Sequence, residues 1–390
     1  MTQSDAAEAA VPTACASLSS QIDAVPTGPV FLASFPTVTE GPLHGAAFLY
    51  DNAAATLALV ACGKPEKARR IGDAILAALG RDRFWHDGRL RNGYAAGPVG
   101  DGPLKLAGWW DKDKNQWLED RYQVGSDNGN MAWAMLALLA LDRAGLGEDY
   151  RNGAERIGRW IGLTADSRGP GGFTGGTFGH EPAPEKLAWK STEHNIDLTA
   201  AFSGIARVVS DGFWRDHADI AQRFVGAMWN TSCNCFAVGT GDDGVTSNPL
   251  LALDAQVWPL LAVPGAVDRY GAVIATIERL AVDHGFAYSE AKEGVWTEGT
   301  AQVALLYALT NRVAQANSLL AAIQAQQTSN GSYYATSTPS LPTGFTLPTD
   351  PTKPRLYYRL PHLGATAWVA LAERRFNPFT AGSTLPQSHP

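Results

Sequence analysis

The sequence predicts an all-α fold, a single (α/α)6 toroid in which helical hairpins close into a ring. Three observations support this prediction. Helical and loop segments alternate at a regular long spacing after about residue 40, and most helices pair through short turns. Within a pair, the first helix is apolar nearly all round and the second is amphipathic.

Apolar periodicity and Gly/Pro punctuation place the helices of this fold. They are predicted near residues 44–62, 65–80, 128–144, 148–165, 193–209, 211–229, 254–262, 266–283, 298–312, 312–327 and 363–375. Short turns at residues 63–65 and 145–147 join members of a pair. Five pairs and a final helix approach six hairpins, so a closed ring is expected.

The distribution of apolar residues separates inner from outer helices. Residues 132–139 are apolar throughout, whereas residues 150–157 alternate charged and apolar side chains at helical spacing. An open helical solenoid is the alternative, and it predicts short, similar loops between repeats. Here about 40 residues lie between Asp82 and Ser126 and about 25 between Ser167 and Thr192. Loops of that length usually build sites, which favours the ring.

Composition excludes several partners. The 390 residues carry a net charge of −7, and the charged share of 18% is below the average for globular proteins. No run of Lys and Arg could neutralise phosphates, so no nucleic-acid partner is expected. No apolar run reaches the ~18 residues that would suggest a membrane span. Residues 1–5 lack the features of a signal peptide.

Four cysteines are too few for a dense disulfide framework. Cys62 lies in a helical pattern and is predicted to be a small buried hydrophobe. Cys233 and Cys235 are predicted to be too close in sequence to bridge each other readily. No second Cys or His cluster lies near them to form a zinc site, so no metal and no cofactor are predicted.

In such a ring the inner helices run in the same direction, so their N-terminal ends gather at one mouth. Five of the six predicted starts carry an acid: Asp51, Asp127, Glu193, Asp254 and Glu298. Acids are common in the first helical turn for structural reasons, and Asp is a good N-cap. Asp51 is harder to explain in this way, because an acid within an apolar helix needs a partner or a function.

Spacing within two of these helices suggests acid chemistry. Glu193 and Asp197 are four residues apart, which places two carboxylates on one face at a cost of about 0.2–0.5 kcal/mol. A neighbouring carboxylate and partial burial raise a carboxyl pKa towards the range that a general acid needs. Glu298 and Gln302 offer one acid and one amide at the same spacing.

The tryptophans suggest the class of ligand. Among the 12 Trp, several fall in the loops at the predicted mouth, including Trp109, Trp110, Trp189 and Trp296. Aromatic faces stack on sugar rings, while acids, amides and His bind the hydroxyls. Trp133, Trp258 and Trp368 lie within helices and are expected in the core. No phosphate-binding loop, dinucleotide fingerprint, nucleophile elbow or zinc-protease motif is present.

Three segments resemble the six-hairpin glycosidases and their (α/α)6 relatives: residues 191–197 (STEHNID), 296–302 (WTEGTAQ) and 362–368 (HLGATAW). The resemblance covers about residues 40–376 and is architectural. It implies a carbohydrate-active enzyme, usually an inverting and often endo-acting hydrolase of a polysaccharide or oligosaccharide. Inversion requires a protonated acid and a separate base carboxylate with water between them.

This resemblance gives a hypothesis for the site. Glu193 or Glu298 is the acid, and Asp127 or Asp51 is the base. The sugar ligands are expected to be the remaining polar and aromatic groups at the mouth: Trp109, Trp110, Tyr122, Trp189, His194, Asp197, Asp254, Trp296, Gln302 and His362.

Three other functions stay open at this point. A polysaccharide lyase would abstract a proton beside a uronate through Tyr122, Tyr358 or His362, with Arg91 or Arg359 neutralising the substrate carboxylate. A sugar epimerase would use a pair of histidines on a free sugar, although the long loops argue against so small a substrate. A helical scaffold without catalysis, binding a glycan or a protein, is the third.

The predicted organisation is a lead segment (1–40), one catalytic (α/α)6 domain (41–378) and a C-terminal tail (379–390). A monomer is expected. The scarcity of Lys, the abundance of Thr, Ser, Asn and Gly, and a polysaccharide substrate favour a secreted or periplasmic protein.

Overall fold

The structure is a computed structural model that describes residues 13–347 and 350–387. The helices are α1 (Ala14–Asp23), α2 (Leu49–Ala61), α3 (Pro65–Arg81), α4 (Arg121–Val124), α5 (Asn128–Arg143), α6 (Glu148–Gly162), α7 (Thr192–Ala206), α8 (Gly212–Ala227), α9 (Leu253–Ala262), α10 (Ala266–Tyr270), α11 (Val273–Arg279), α12 (Thr297–Leu309), α13 (Val313–Ile323) and α14 (Leu363–Glu373). A 3-10 turn follows α13 at Gln324–Gln326. None of the helices in these residues is long and apolar enough to cross a membrane.

Short antiparallel strands lie between the helices. They are β1 (Val30–Phe31), β2 (Ala46–Phe48), β3 (Gly93–Ala95), β4 (Gly97–Pro98), β5 (Trp109–Asp111), β6 (Gln116–Leu118), β7 (Ser126–Asp127), β8 (Gly176–Phe178), β9 (Glu185–Leu187), β10 (Trp229–Asn230), β11 (Cys235–Phe236), β12 (Gly239–Thr240), β13 (Ser247–Asn248), β14 (Ala281–Val282), β15 (Gly285–Phe286), β16 (Tyr333–Tyr334), β17 (Ser340–Leu347), β18 (Asp350–Tyr358) and β19 (Pro361–His362). The long hairpin of β17 and β18 has no counterpart among the sequence predictions.

Six helices contact one another in cyclic order: α2, α5, α7, α9, α12, α14 and back to α2. They are called the inner helices below. Each packs against an outer partner: α3 on α2, α6 on α5, α8 on α7, α10 and α11 on α9, α13 on α12, and α1 on α14. The predicted helical hairpins are therefore present in the described residues.

Sequence determines which helices lie inside. Inner helix α5 is buried almost all round, including Met131, Trp133 and Leu138. Outer helix α3 buries only a stripe at helical spacing, such as Ile71 and Ile75, and it keeps its charged residues outside. A helix without a polar face is stable in water only when other elements surround it, so the apolar helices occupy the centre.

Helix α1 lies within the predicted lead segment, where no helix was expected. Ala14, Leu18 and Ile22 are fully or almost fully buried against α14 and α2. This pairing supplies the outer member that the sixth hairpin lacks in the sequence prediction. Phe379, in the predicted tail, is also buried and packs against Trp133 and Trp258. The predicted lead segment and the predicted tail therefore each contribute residues to the core.

Two expectations about the cysteines are wrong, since Cys62 is in a disulfide and Cys233 and Cys235 bridge each other. Cys15 in α1 is bonded to Cys62 at the end of α2, with the two Cα atoms 5.8 Å apart. Cys233 and Cys235 bridge each other across the turn between β10 and β11. The intervening Asn234 adopts φ of 50°, a left-handed conformation that Asn tolerates, and the turn brings the two Cα atoms to 5.2 Å.

Removing the first bridge should destabilise the fold strongly. The variant Cys15→Ser/Cys62→Ser opens a loop with a sequence separation of 47. We expect the free energy of unfolding to fall by about 3–4 kcal/mol, measured by equilibrium denaturant unfolding. The control is Cys233→Ser/Cys235→Ser, which opens a loop with a separation of only 2 and should lose much less. Equal losses in the two variants would contradict the prediction.

Several predicted helix bounds differ from the structure. The predicted helix at 44–62 begins only at Leu49, because residues 46–48 form β2 and pair with β3. The predicted helix at 266–283 divides into α10 and α11 around Gly271. It ends before residues 281–282, which form β14.

Candidate active site

The inner helices begin in the same way six times. The first residue of each donates its backbone N–H to a carbonyl of a neighbouring segment. The fourth residue of each then bonds, through its side chain, to the backbone N–H of a Leu, Phe or Tyr. These fourth residues are Asn52, Met131, Asn195, Gln256, Thr300 and Thr366. The repeated bonds place the six helix starts in equivalent positions.

This equivalence brings distant residues into two layers. The second residues of the inner helices form the upper layer: Tyr50, Gly129, Glu193, Asp254, Glu298 and Gly364. The sixth residues lie about one turn deeper and form the lower layer: Ala54, Trp133, Asp197, Trp258, Gln302 and Trp368. The predicted acids at the helix starts therefore share one region, which is called the mouth below.

Direct contacts join three of the helix starts. The Tyr50 hydroxyl donates a hydrogen bond to Glu298, and the indole N–H of Trp368 donates to the Tyr50 oxygen over 2.7 Å. His362 Nε2 lies 3.3 Å from Asp51 Oδ2, and His362 Nδ1 lies 3.9 Å from Glu298 Oε2. Asp51 and Glu298 are each only 3% exposed. The acid within the apolar helix therefore has His362 as its partner.

Electrostatic coupling places Glu193 among the other acids. Burial raises the pKa of Glu193 well above its usual value, and the negative charges of Asp254, Glu298 and Asp127 raise it further. Glu193 is half-buried rather than fully buried, so it retains contact with solvent. Neither Glu193 nor Glu298 is an N-cap, since Ser191 and Trp296 occupy those positions.

Three more carboxyl groups have pKa values raised chiefly by burial. The pKa of Asp127 rises to about 7, that of Glu298 to about 7 and that of Asp254 to about 6. Asp127 stands at the N-cap of α5, but its side chain makes no capping hydrogen bond. The purely structural explanation of Asp127 therefore loses support. Carboxyl groups that titrate near neutral pH are suited to general acid and base catalysis.

Aromatic groups and a histidine surround these acids. Tyr122 accepts a hydrogen bond from Asn130, and the Asn92 side chain that also bonds Asn130 accepts from the Asp127 backbone N–H. The ring of Trp189 lies 5.5 Å from that of His194, whose pKa is lowered to about 4 by burial and the charge of Arg355. Trp296 is buried and packs against Tyr288 and Tyr357, so it supports the wall of the mouth.

The lower layer contains polar groups without partners. Asp197 and Gln302 are fully buried, and no side-chain oxygen or nitrogen of either is hydrogen-bonded within the described residues. The rings of Trp133, Trp258 and Trp368 pack together beside them, 5.4 to 5.8 Å apart. Asp197 and Gln302, predicted as sugar ligands, therefore lie beneath the mouth rather than on its surface.

Trp109 and Trp110 lie elsewhere, on the hairpin of β5 and β6. Trp110 is 54% exposed. Within residues 13–347 and 350–387, no hydrogen bond or ring contact joins either tryptophan to the acids of the mouth. Their role in sugar stacking stays a prediction. The same described residues contain no group of three His, Cys, Asp or Glu side chains arranged to hold a metal ion.

The sequence analysis missed four residues of the mouth: Tyr50, Tyr288, Arg355 and Tyr357. Tyr50 carries a detectable signal, because it occupies the position in α2 that Glu193 and Glu298 occupy in α7 and α12. The other three lie in connecting segments, and Arg355 and Tyr357 lie on β18. No local motif marks them.

Solved structures with the same fold are carbohydrate-active proteins. A glycosidase variant in complex with glucose matches with a TM-score of 0.62 and 15% identity, over 93% of this chain and 95% of that one. A family 76 glycoside hydrolase from a bovine Bacteroides thetaiotaomicron strain matches with a TM-score of 0.57 and 12% identity, over 92% and 76%. Cellobiose 2-epimerase from Bacillus thermoamylovorans B4167 matches with a TM-score of 0.60 and 12% identity, over 91% and 95%.

These likenesses confirm, at the level of fold, the resemblance to six-hairpin glycosidase-like proteins. No protein-family model matches the chain, and no curated protein sequence matches it.

Proposed function

We propose that this protein is a glycoside hydrolase built on an (α/α)6 toroid and acting on a polysaccharide or oligosaccharide. One observation carries the proposal: carboxyl groups from α7, α9 and α12 meet at one mouth, with pKa values raised towards neutrality. The aromatic residues around them suit sugar rings. The shared fold with glycosidases supports the same class of reaction.

Glu193 is the proposed general acid. Burial and the negative charges of Asp254, Glu298 and Asp127 favour its protonated form, and its partial exposure gives a substrate access to the proton. A carboxylic acid that is still protonated near neutral pH can donate its proton to the leaving glycosidic oxygen.

Glu298 is the proposed base. Burial raises the pKa of Glu298, but the nearby His362 and the Tyr50 hydrogen bond both favour its ionised form. At Glu193 only the charge of Arg355 acts in that direction, against burial and three neighbouring carboxyl groups. Two carboxyl groups whose environments differ in this way are suited to opposite roles. This refines the sequence hypothesis, in which the base is Asp127 or Asp51. Asp51 instead positions His362, and Asp127 lines the mouth as a sugar ligand.

An inverting mechanism follows if a water molecule lies between the two carboxyl groups, ~6.5–9.5 Å apart. Glu298 would remove a proton from this water as it attacks the anomeric carbon, while Glu193 protonates the departing oxygen. Proton NMR of the anomer released first would check the stereochemistry. Endo action stays a prediction, to be checked from the lengths of early products.

The pH profile should report both groups. We expect kcat/KM to rise near pH 7 as Glu298 ionises, because burial raises its pKa to about 7. Loss of the proton of Glu193, whose pKa burial raises well above its usual value, gives the falling limb. In Tyr50→Phe the hydrogen bond that favours ionised Glu298 is lost, so the rising limb should move to higher pH. The exposed Tyr358 offers a control, Tyr358→Phe. An unmoved rising limb in Tyr50→Phe would count against Glu298 as the base.

A glycan panel tests the proposed function directly. Products are read for new reducing ends and for ultraviolet absorbance. Reducing ends without absorbance support hydrolysis, whereas absorbing products would establish the lyase instead. Binding without products would leave a glycan-binding scaffold, and an epimerised sugar would establish the epimerase.

Several of the side chains that a polysaccharide lyase would use are poorly suited to that reaction. Arg91 is fully buried and bonded to Asp82 and Glu181, so it is not placed to neutralise a substrate. Arg359 is exposed, but hydrogen bonds to Gln326 and to a backbone carbonyl hold its Nη1. Burial also raises the pKa of Tyr122, which disfavours its phenolate as a base. The side chain of Tyr358 is 47% exposed and forms no hydrogen bond with the acids of the mouth within the described residues.

We also propose that the protein is exported. The two disulfides support this compartment, because such bonds persist in oxidising surroundings. The monomeric state stays a prediction that light scattering would check.

A further inference from the structure

The strand β18 lies across the mouth. The ring of Tyr357 lies 5.7 Å from that of Trp296, which directly precedes α12. Two residues earlier on the same strand, the guanidinium of Arg355 lies 5.9 Å from the ring centre of Tyr122. Alternate residues of a strand point to one face, so both side chains face the mouth. The strand therefore spans from the side of Asp127 to the side of Glu298.

Arg355 is an unpaired cation at this position. Its side chain is exposed, and within the described residues its guanidinium forms no ion pair and donates no hydrogen bond. Its backbone carbonyl accepts a hydrogen bond of 2.9 Å from Thr343 on β17, which fixes the strand beneath it. The charge of Arg355 lowers the pKa of Asp127, Glu193, His194 and Asp254.

The acids around Arg355 are only partly ionised at mildly acidic pH. His362 Nε2 lies 3.3 Å from Asp51 Oδ2, so those two groups partner each other rather than Arg355. Burial raises the pKa values of Asp127 and Glu298 to about 7 and that of Asp254 to about 6, so at pH 6 the first two are largely protonated and the third is only partly ionised. A guanidinium presents a planar fork of N–H donors that matches carboxylate, sulfate and phosphate oxygens.

We propose that Arg355 binds an anionic substituent of the glycan, so that the substrate is an acidic glycan carrying a carboxylate, sulfate or phosphate group. The inference rests on the proposed function of the same mouth and adds the class of its substrate. Arg355 is a specificity residue in this scheme and does not contact the reacting atoms. Because the Arg355 guanidinium lies over the ring of Tyr122, the anionic group of the glycan would bind on the side of the mouth that contains Asp127.

Calorimetric titration at pH 6 tests the proposal with matched pairs of oligosaccharides. The pairs are an oligouronide and its carboxyl-reduced form, a sulfated oligosaccharide and its desulfated form, and a phosphorylated oligosaccharide and its dephosphorylated form. We expect the wild-type protein to bind one anionic member about 10- to 100-fold more tightly than its neutral partner. The pair that shows this preference identifies the anionic group.

The variant Arg355→Gln should lose the preference and keep its affinity for the neutral member. Arg355→Lys should retain part of it, because charge remains while the fork is lost. The matched control is Lys353→Gln on the same strand, which removes an exposed charge already paired with Asp350 at 3.3 Å and should keep the preference.

Equal binding within every pair by the wild type, or a preference that survives in Arg355→Gln, would overturn the proposal. Hydrolysis is assayed separately on the same oligosaccharides. A protein that prefers an anionic member but releases no reducing ends would support the anion site and overturn the hydrolase. A protein that cleaves neutral and anionic members equally, and binds them equally, would support the hydrolase and overturn the anion site.

Discussion

Replacing Glu193 by Gln should lower kcat of the proposed hydrolysis by about 100- to 10,000-fold, the usual contribution of a general acid. The amide keeps the size of the side chain but has no acidic proton to give to the leaving oxygen. Burial and the neighbouring carboxyl groups of Asp254, Glu298 and Asp127 raise the pKa of Glu193 and keep that proton on it in the wild type, so the loss should be large across the neutral pH range.

Comparing two substrates tests whether Glu193 acts as the general acid. An activated aryl glycoside, whose leaving group needs no proton, should lose far less activity than the natural glycan. Glu290→Gln removes an exposed carboxylate on the loop after β15 and should leave both rates unchanged. If Glu193→Gln slowed both substrates equally, Glu193 would not be the acid.

Gly364→Ala should reduce activity by about 100-fold, the scale expected when catalytic groups are displaced by about 1 Å. A Cβ at this position would lie 2.6 Å from Asp51 Oδ1, 3.0 Å from His362 Cε1 and 3.3 Å from Glu298 Oε2. Those distances are too short for all three groups to stay in place. The side chains must therefore move, and with them the proposed base.

Stability should change little in this variant, because the displaced atoms are the ends of side chains. Thermal unfolding and kcat, measured together, check both expectations. Gly80→Ala on α3 is the matched control, since no atom lies within 4 Å of its added Cβ. A normal rate in Gly364→Ala would show that the arrangement of Asp51, His362 and Glu298 is not needed for catalysis.

The acids of the mouth could be predicted from the sequence because their positions follow from helix starts. Glu193, Asp254 and Glu298 each stand one residue after the start of an inner helix, and equivalent starts bring them together. Apolar periodicity identified those helices. The pairing of Asp51 with His362 was not predictable, since it joins residues of α2 and β19 that carry no shared pattern.

The hairpin of β17 and β18, which carries Arg355, could not be predicted from the sequence. Residues 340–358 contain four prolines, and proline normally argues against a strand. The hairpin is two-stranded and has irregular register, conditions under which prolines are tolerated. Helix α1 was missed for a different reason: its alanines and serines resemble a linker, and its burial depends on α14, some 340 residues later in the sequence.

The pairing of α1 with α14 has a consequence for biosynthesis. Among the described helices α1 is synthesised first and its partner α14 last, so the circle of inner helices and their partners cannot close until residue 373 has left the ribosome. Until then, α1 lacks α14, against which Ala14, Leu18 and Ile22 are buried together with α2. The bond between Cys15 and Cys62 can form once residue 62 has emerged, and it would hold the N-terminal helix near its final place while the remaining hairpins assemble.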